Sequence, residues 1–292
     1  MMIGLPMITG LGKELGKKGT VSDITLYNRK VEDRIINVVE ASEKFASLLL
    51  SVSMAEVILF HVKPGNLDQR FAEAVLAADA FDKKRGVVFL DGVIEEQVKP
   101  LVKETVADSY EMFTGSIPDL LSFLSGLETE QGPSAPVRII VDHSFPVKSV
   151  GTVVLGVVVS GTVKKHDVLD LNPAGKKVTV KSIQMMDEEV QNAVAGDRVG
   201  LALKGVTPEE ASRGSVLGDS VVVDRIPASI TFNKYSDSIS KQVMIMAGTA
   251  RTEAKQEGSE LILGKKIAVW KNQRILVYDP SKKPNVRGHV TI

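Results

Sequence analysis

The stretch that most constrains the fold is Gly151-Thr-Val-Val-Leu-Gly-Val-Val-Val-Ser-Gly161, two β-branched runs punctuated by glycines at 151, 156 and 161. A helix is disfavoured there. Val and Thr lose side-chain freedom against the preceding turn, and each interior Gly costs about 1 kcal/mol against Ala. Short strands separated by glycine bends suit the same residues, and such bends turn the corners of small barrels. Further strand candidates lie at 137–142, 176–186 and 198–203. Turn signals separate them at 172–175 (Asn-Pro-Ala-Gly) and 195–197 (Ala-Gly-Asp). This spacing predicts a closed antiparallel barrel.

Residues 1–127 alternate strand and helix signals instead. Ile35-Ile36 and Val38-Val39 mark a strand over 33–39, and the apolar runs 57–62 and 86–90 read as strands covered on both faces. Between those two runs, 67–81 carries apolar residues at 67, 71, 74, 75, 78 and 81, the spacing of an amphipathic helix. Gly65 and Asn66 precede it as turn and cap. A second helix is expected over 117–127, with Pro118 in its first turn. The alternation predicts a parallel α/β sheet. The charged, Gly/Pro/Ser-bearing stretch 128–135 reads as a linker. Beyond Gly218-Asp219, short strands are expected at 221–223, 230–234, 241–248, 261–263, 267–270 and 274–278, a second small β unit. The expected domains are 1–130, 135–220 and 221–292.

Composition narrows the chemistry. A 292-residue chain that is 43% hydrophobic and 25% charged has enough apolar surface for two or three cores. It has no cysteine, which excludes disulfides, thiolate zinc sites and cysteine nucleophiles. Its four histidines, His61, His143, His166 and His289, show no metal-ligand spacing. No apolar window reaches the roughly 18 residues a membrane helix needs, and the N-terminus lacks the basic residues of a signal peptide. A cytoplasmic location and no membrane partner are therefore expected. Net charge is zero but unevenly spread. Residues 1–134 hold 14 Lys and Arg against 20 Asp and Glu, while 221–292 hold 12 against 6. An acidic and a basic end suit different partners.

Several motifs in the predicted barrel carry a resemblance. Val141-Asp-His-Ser-Phe-Pro-Val-Lys-Ser-Val-Gly-Thr-Val-Val-Leu-Gly156, Ser160-Gly-Thr-Val-Lys164, Lys181-Ser-Ile-Gln184, Ala193-Val-Ala-Gly-Asp-Arg-Val-Gly-Leu-Ala-Leu203 and Arg213-Gly-Ser-Val-Leu217 follow one another at intact spacing. Together they resemble the second domain of translational GTPases of the elongation factor Tu class, most of all the SelB branch. Leu15-Gly-Lys-Lys-Gly-Thr20 and Ser22-Asp-Ile-Thr25 are similar to archaeal SelB-like paralogues. The resemblance implies a P-loop-GTPase-like parallel α/β domain followed by two small antiparallel β-barrels.

It also implies nucleotide motifs in the first domain, and these are missing. A phosphate loop needs G-x-x-x-x-G-K-[ST], whose backbone N–H groups, Lys and hydroxyl hold the phosphates and Mg²⁺. In the Gly12-Lys13 frame the first Gly is Met7 and the hydroxyl residue is Glu14; in the Gly16-Lys17 frame they are Leu11 and Lys18. The family's Asp-x-x-Gly falls on Glu40-Ala-Ser-Glu43 and its Asn-Lys-x-Asp on Leu90-Asp-Gly-Val93, while Ile24-Thr25 alone matches the switch. Phosphoryl transfer depends on positioning and charge stabilisation, so a pseudo-GTPase without cofactor is expected. No nucleophile–base pair, catalytic carboxylate pair or metal set stands out.

The resemblance implies an aminoacyl-end pocket at Asp142, His143 and Arg198. The SelB branch has Arg where this chain has His143, and a His is less fully charged at neutral pH, so selectivity for selenocysteine is not implied. An Asp142–Arg198 salt bridge within the barrel is the alternative. The third domain would meet a tRNA backbone through Lys265, Lys266, Lys271 and Arg274, joined by Lys282, Lys283 and Arg287, with Trp270 and Tyr278 able to stack on bases or to pack in the core. Met185, Met186, Met244 and Met246 are expected in the core, and Glu188-Glu189 in a solvated turn. Three readings follow: a GTPase-dead translation factor that binds aminoacyl-tRNA or a ribosome-associated component; a scaffold whose acidic N-terminal domain takes a protein partner; and a protein retaining GTP or GDP without hydrolysis.

Overall fold

Strand β1 (Met2–Leu5) is completely buried at the centre of the first sheet, so the N-terminal apolar residues are core. In the computed structural model, which describes residues 1–32, 34–127 and 135–292, this sheet comprises β1, β2 (Lys17–Val21), β3 (Ile24–Val31), β4 (Arg34–Ala41), β5 (Val57–Val62), β6 (Gly86–Leu90) and β7 (Glu111–Phe113). Its order is β2-β3-β4-β1-β5-β6-β7. Neighbours from β4 to β7 run parallel, as expected of strands with both faces covered. The sheet is mixed, because β2 and β3 form an antiparallel ladder on β4. That hairpin, whose exposed residues are mostly polar, leaves little hydrophobic signal in the sequence.

Helices α1 (Gly12–Leu15), α2 (Phe45–Met54), α3 (Gln69–Ala80), α4 (Glu95–Val102) and α5 (Ile117–Gly126) complete this part. The cap of α3 is Asp68 rather than Asn66, since its carboxylate accepts from Arg70 N and Phe71 N at 2.8 and 3.1 Å. Asn66 instead closes a turn, accepting from Lys63 N and donating to His61 O. Helix α5 begins with a Ser116–Asp119 capping box and carries Pro118 in its first turn. Of the expected linker, residues 128–134 lie outside the described residues, as does Asp33.

The next part of the chain contains β8 (Arg138–Val147), β9 (Gly151–Ser160), β10 (Thr162–Lys164), β11 (Val168–Asn172), β12 (Lys176–Met185), β13 (Glu188–Val190), β14 (Asn192–Val194), β15 (Arg198–Lys204) and β16 (Val216–Gly218). The order β11-β16-β8-β9-β15-β12-β13 is closed by a β11–β12 pairing, which makes the predicted barrel; β10 and β14 form a separate ladder. Ile139, Val154, Leu171, Val180, Leu201 and Leu217 fill its interior. Residues 151–160 form one strand, not two broken at Gly156. The irregularity falls on the partner strand, where Asp142 is the extra residue of a bulge between the Val141↔Gly156 and His143↔Leu155 pairs. Glu188 and Glu189 lie in the short strand β13 rather than in a turn, and Met186 is 39% exposed rather than core.

Strands β17 (Val221–Pro227), β18 (Thr231–Phe232), β19 (Gln242–Ala247), β20 (Ala250–Glu257), β21 (Glu260–Val269), β22 (Arg274–Tyr278) and β23 (Val286–Thr291) follow, in the sheet order β17-β21-β20-β19-β22-β23-β18. The pairs expected at 261–263 and 267–270 belong to one long strand, and β20 and β23, rich in polar residues, carry no apolar run that marks them. By contacts the chain forms two compact units, Met1–Glu128 with Ile230–Val243 and Arg274–Val290, and Thr129–Ser229 with Met244–Gln273 and Thr291–Ile292. Within the first, buried Glu73 of α3 accepts from Asn285 N and Val286 N at 2.5 and 3.0 Å.

Candidate functional site

Open α/β sheets bind ligands outside the carboxyl ends of their strands. In the first unit the stretch of that edge beside β3 and β4 is filled by the protein's own side chains. Tyr27 of β3 donates to Glu40 Oε2 at the end of β4, at 3.1 Å, and both residues are buried. Burial, reinforced by Glu40, pushes the Tyr27 phenol up to about 12. The ring lies so close to the backbone of Gly12 that an added Cβ would sit 2.4 Å from it, so the loop after β1 approaches β3 only because residue 12 is glycine. Arg70 of α3 ties that loop to the segment after β4, donating to Pro6 O, Ser42 O and Glu43 O at 3.0, 2.8 and 3.2 Å. Ser42 N in turn donates to Ser47 Oγ at 2.7 Å. Lys13 and Glu14, in α1, are exposed.

On the same edge His61 stands between Thr9 and Asp91, its Nδ1 2.7 Å from Thr9 Oγ1 and its Nε2 3.2 Å from Asp91 Oδ2. Lys63 Nζ lies 3.3 Å from the same Asp91 oxygen. Burial pushes the His61 pKa below its usual value, against the pull of Asp91, whose own pKa is lowered first by its hydrogen bond to His61. Sequence reasoning missed this set. A histidine inside the otherwise apolar run VILFHV was its signal.

In the second unit Asp142 is the bulge residue of β8, and it is buried at 1% exposure. Arg198, at the start of β15, grips it with two hydrogen bonds, Nη1 to Oδ1 at 2.6 Å and Nη2 to Oδ2 at 3.0 Å. This is the fork geometry of a strong Arg–carboxylate pair. Burial alone would raise the Asp142 pKa; the Arg198 charge, helped by His143, outweighs it and holds the carboxyl below its ordinary range. His143, partly exposed, has Nδ1 3.9 Å from Asp142 Oδ2, too far for a hydrogen bond. Arg213 Nε donates to the Asp142 main-chain oxygen at 2.9 Å. The three predicted residues thus come together, with the buried carboxylate paired to Arg198.

The predicted phosphate contacts divide. Lys265 and Lys266 are exposed on β21, and with Arg213, Ser215 and Ala250 they line a groove of about 370 Å³. Lys271 is exposed as well. Arg274, in the first unit, is engaged by Asp79 O at 3.1 Å and Asp82 Oδ1 at 3.3 Å. Arg287 is buried, donating to Ser238 O and Pro284 O. Tyr278 is core, packed edge-on against Phe45 at 5.4 Å. Trp270 is half-buried, with the Arg138 guanidinium 5.8 Å from its ring centre.

An α/β domain, a closed six-strand barrel and a third β sheet, in that order, define a translation-factor-like protein, and residues 151–218 match the model of elongation factor Tu domain 2. The chain belongs to the translational GTPase-like family of elongation factor Tu and SelB. Within it, the chain shares a family with MJ0325, an uncharacterized protein of Methanocaldococcus jannaschii, at 32% identity over 96% of this chain and 95% of the relative. The selenocysteine-specific elongation factor of the same organism is 39% identical over 116 residues, 38% of this chain but only 25% of that factor's length. The fold is that of the SelB crystal structure from Methanococcus maripaludis in complex with the GTP analogue GppNHp, with TM-score 0.79, 24% identity, and coverage of 100% of this chain and 78% of that one.

Proposed function

We propose that this is a translation-factor-like protein that binds no GTP and meets tRNA, or another translation component, through its β domains. The filled stretch of the first sheet's carboxyl edge beside β3 and β4 is the observation that carries the first half. A Mg²⁺–nucleotide does not fit the residues present: the phosphate-loop frame puts Glu14 where a Mg²⁺-binding hydroxyl belongs, and Tyr27 and Glu40 pack against the loop backbone at Gly12. The Arg70 guanidinium, which ties this loop to the segment after β4, spends its donors on three carbonyl oxygens. Titration calorimetry with GTP and GDP in the presence of Mg²⁺ should give no heat of binding, and micromolar guanine-specific affinity would refute the reading.

The basic balance of residues 221–292 and the exposed Lys265, Lys266 and Lys271 support the second half. Filter binding of tRNA to the full chain should weaken steeply as salt rises from about 50 to 200 mM, as counterion release requires. No retention at the lowest salt would reject RNA binding. A specific observation favours a second reading, a protein-binding scaffold. Asp142 is inaccessible and Arg198 is committed to it, which leaves only His143 at the rim to meet an aminoacyl end.

A further inference from the structure

We propose that Thr9, His61 and Asp91 form an acyl-transfer site in the first unit, with Thr9 Oγ1 as the nucleophile toward a carboxylic ester. Thr9 lies in the loop after β1, His61 near the end of β5 and Asp91 directly after β6, so three parallel strands deliver them to the edge where such sheets bind ligands. An ionised carboxylate accepts hydrogen bonds and donates none. The Asp91 contact therefore places the ring proton on Nε2 and leaves the Nδ1 lone pair facing the Thr9 hydroxyl at 2.7 Å. That is the order of nucleophile, base and orienting group on which hydroxyl-dependent acyl transfer relies.

The ring cannot swing away. His61 is 2% exposed and stacks on Phe89 with centroids 4.9 Å apart and planes 13° from parallel. Its depressed pKa keeps it an uncharged base near pH 7. Thr9 is partly exposed, and neighbouring Ile8 is 48% exposed, an apolar side chain for the acyl group to rest on. Charge selects an ester over a phosphoryl substrate, since the latter needs several cations and Lys63 is already shared with Asp91. In the step, the Oγ1–carbon bond forms as the ester C–O bond breaks. The hydroxyl proton passes to His61 Nδ1 and then to the leaving oxygen. Water entering by the same route releases the carboxylic acid and restores Thr9.

The site needs neither nucleotide nor RNA, so its test is independent of the proposed function. The full chain is treated with p-nitrophenyl acetate, and peptide mass spectrometry follows acetylation of Thr9 over time. The wild-type chain and Thr9→Ser should acquire the acetyl group at residue 9, and Thr9→Val should not. His61→Gln and Asp91→Asn should each slow labelling by about 100-fold, the usual worth of a positioned general base. Because the Asp91 side chain is 49% exposed, its variant should keep the fold even where the buried His61 change does not. An unlabelled Thr9 in the wild-type chain, or labelling of Asp91→Asn at the wild-type rate, overturns the proposal.

Discussion

Asp142 shows how one residue can belong to the barrel's stability and to its candidate site together. Its carboxylate is buried and forked to Arg198, so Arg198→Ala would strand a charge in the barrel wall. Such a loss costs about 3–5 kcal/mol, and urea unfolding should show a clearly lower midpoint. The acid side carries a sign. The folded carboxyl titrates below its unfolded value, near 3.9, so the pair stabilises the protein above that pH and loses its contribution as pH falls through the folded pKa. Arg198→Ala should therefore flatten this part of the acid-unfolding curve; an unchanged acid limb would show that the pair adds nothing to stability. At this scale the sequence named the partners correctly, because both stand in motifs with fixed spacing. It could not say that the carboxylate is buried, since the bulge and the packing around it decide that.

At the scale of the element, β9 is one strand because its neighbour absorbs the irregularity. Gly156 has no side chain, and Ile140 O would lie 2.6 Å from a Cβ placed there. Gly156→Ala would push β8 away and disturb the bulge that aims Asp142. A cost of about 1–3 kcal/mol is expected, read as a lower melting temperature with the far-ultraviolet spectrum kept. Unchanged melting would mean that the close approach is dispensable. Gly151 and Gly161, with φ of 106° and 71°, do bend the chain at the ends of β9 as the sequence suggests. The β2–β3 hairpin and β20 stayed hidden for a physical reason: half-exposed strands with Lys, Asn, Glu and Gln on one face lack a continuous apolar run.

For the molecule as a whole, charge is the property that most directly predicts behaviour. Only part of the basic surplus of residues 221–292 is available to a partner, because Arg274 and Arg287 are engaged within the first unit while Lys265, Lys266 and Lys271 are exposed. If phosphates are met there, changing Lys265 and Lys266 together to Glu should reduce the salt slope of tRNA binding by about 2, with equal losses for charged and uncharged tRNA. A loss confined to aminoacylated tRNA would instead point to the rim near His143.

The barrel and its family were determined by the sequence alone. β-Branched runs between glycines admit few folds, and motifs at fixed spacing can be matched without coordinates. The tertiary structure decided which polar groups meet. Thr9, His61 and Asp91 are separated by 52 and 30 residues and touch only because parallel strands end side by side. Arg287 reads as a phosphate contact, yet it is buried and donates to Ser238 O in a segment distant in the chain. Local patterns encode an element and its faces. Which charges and hydroxyls converge is set by sheet order, and no local pattern carries that information.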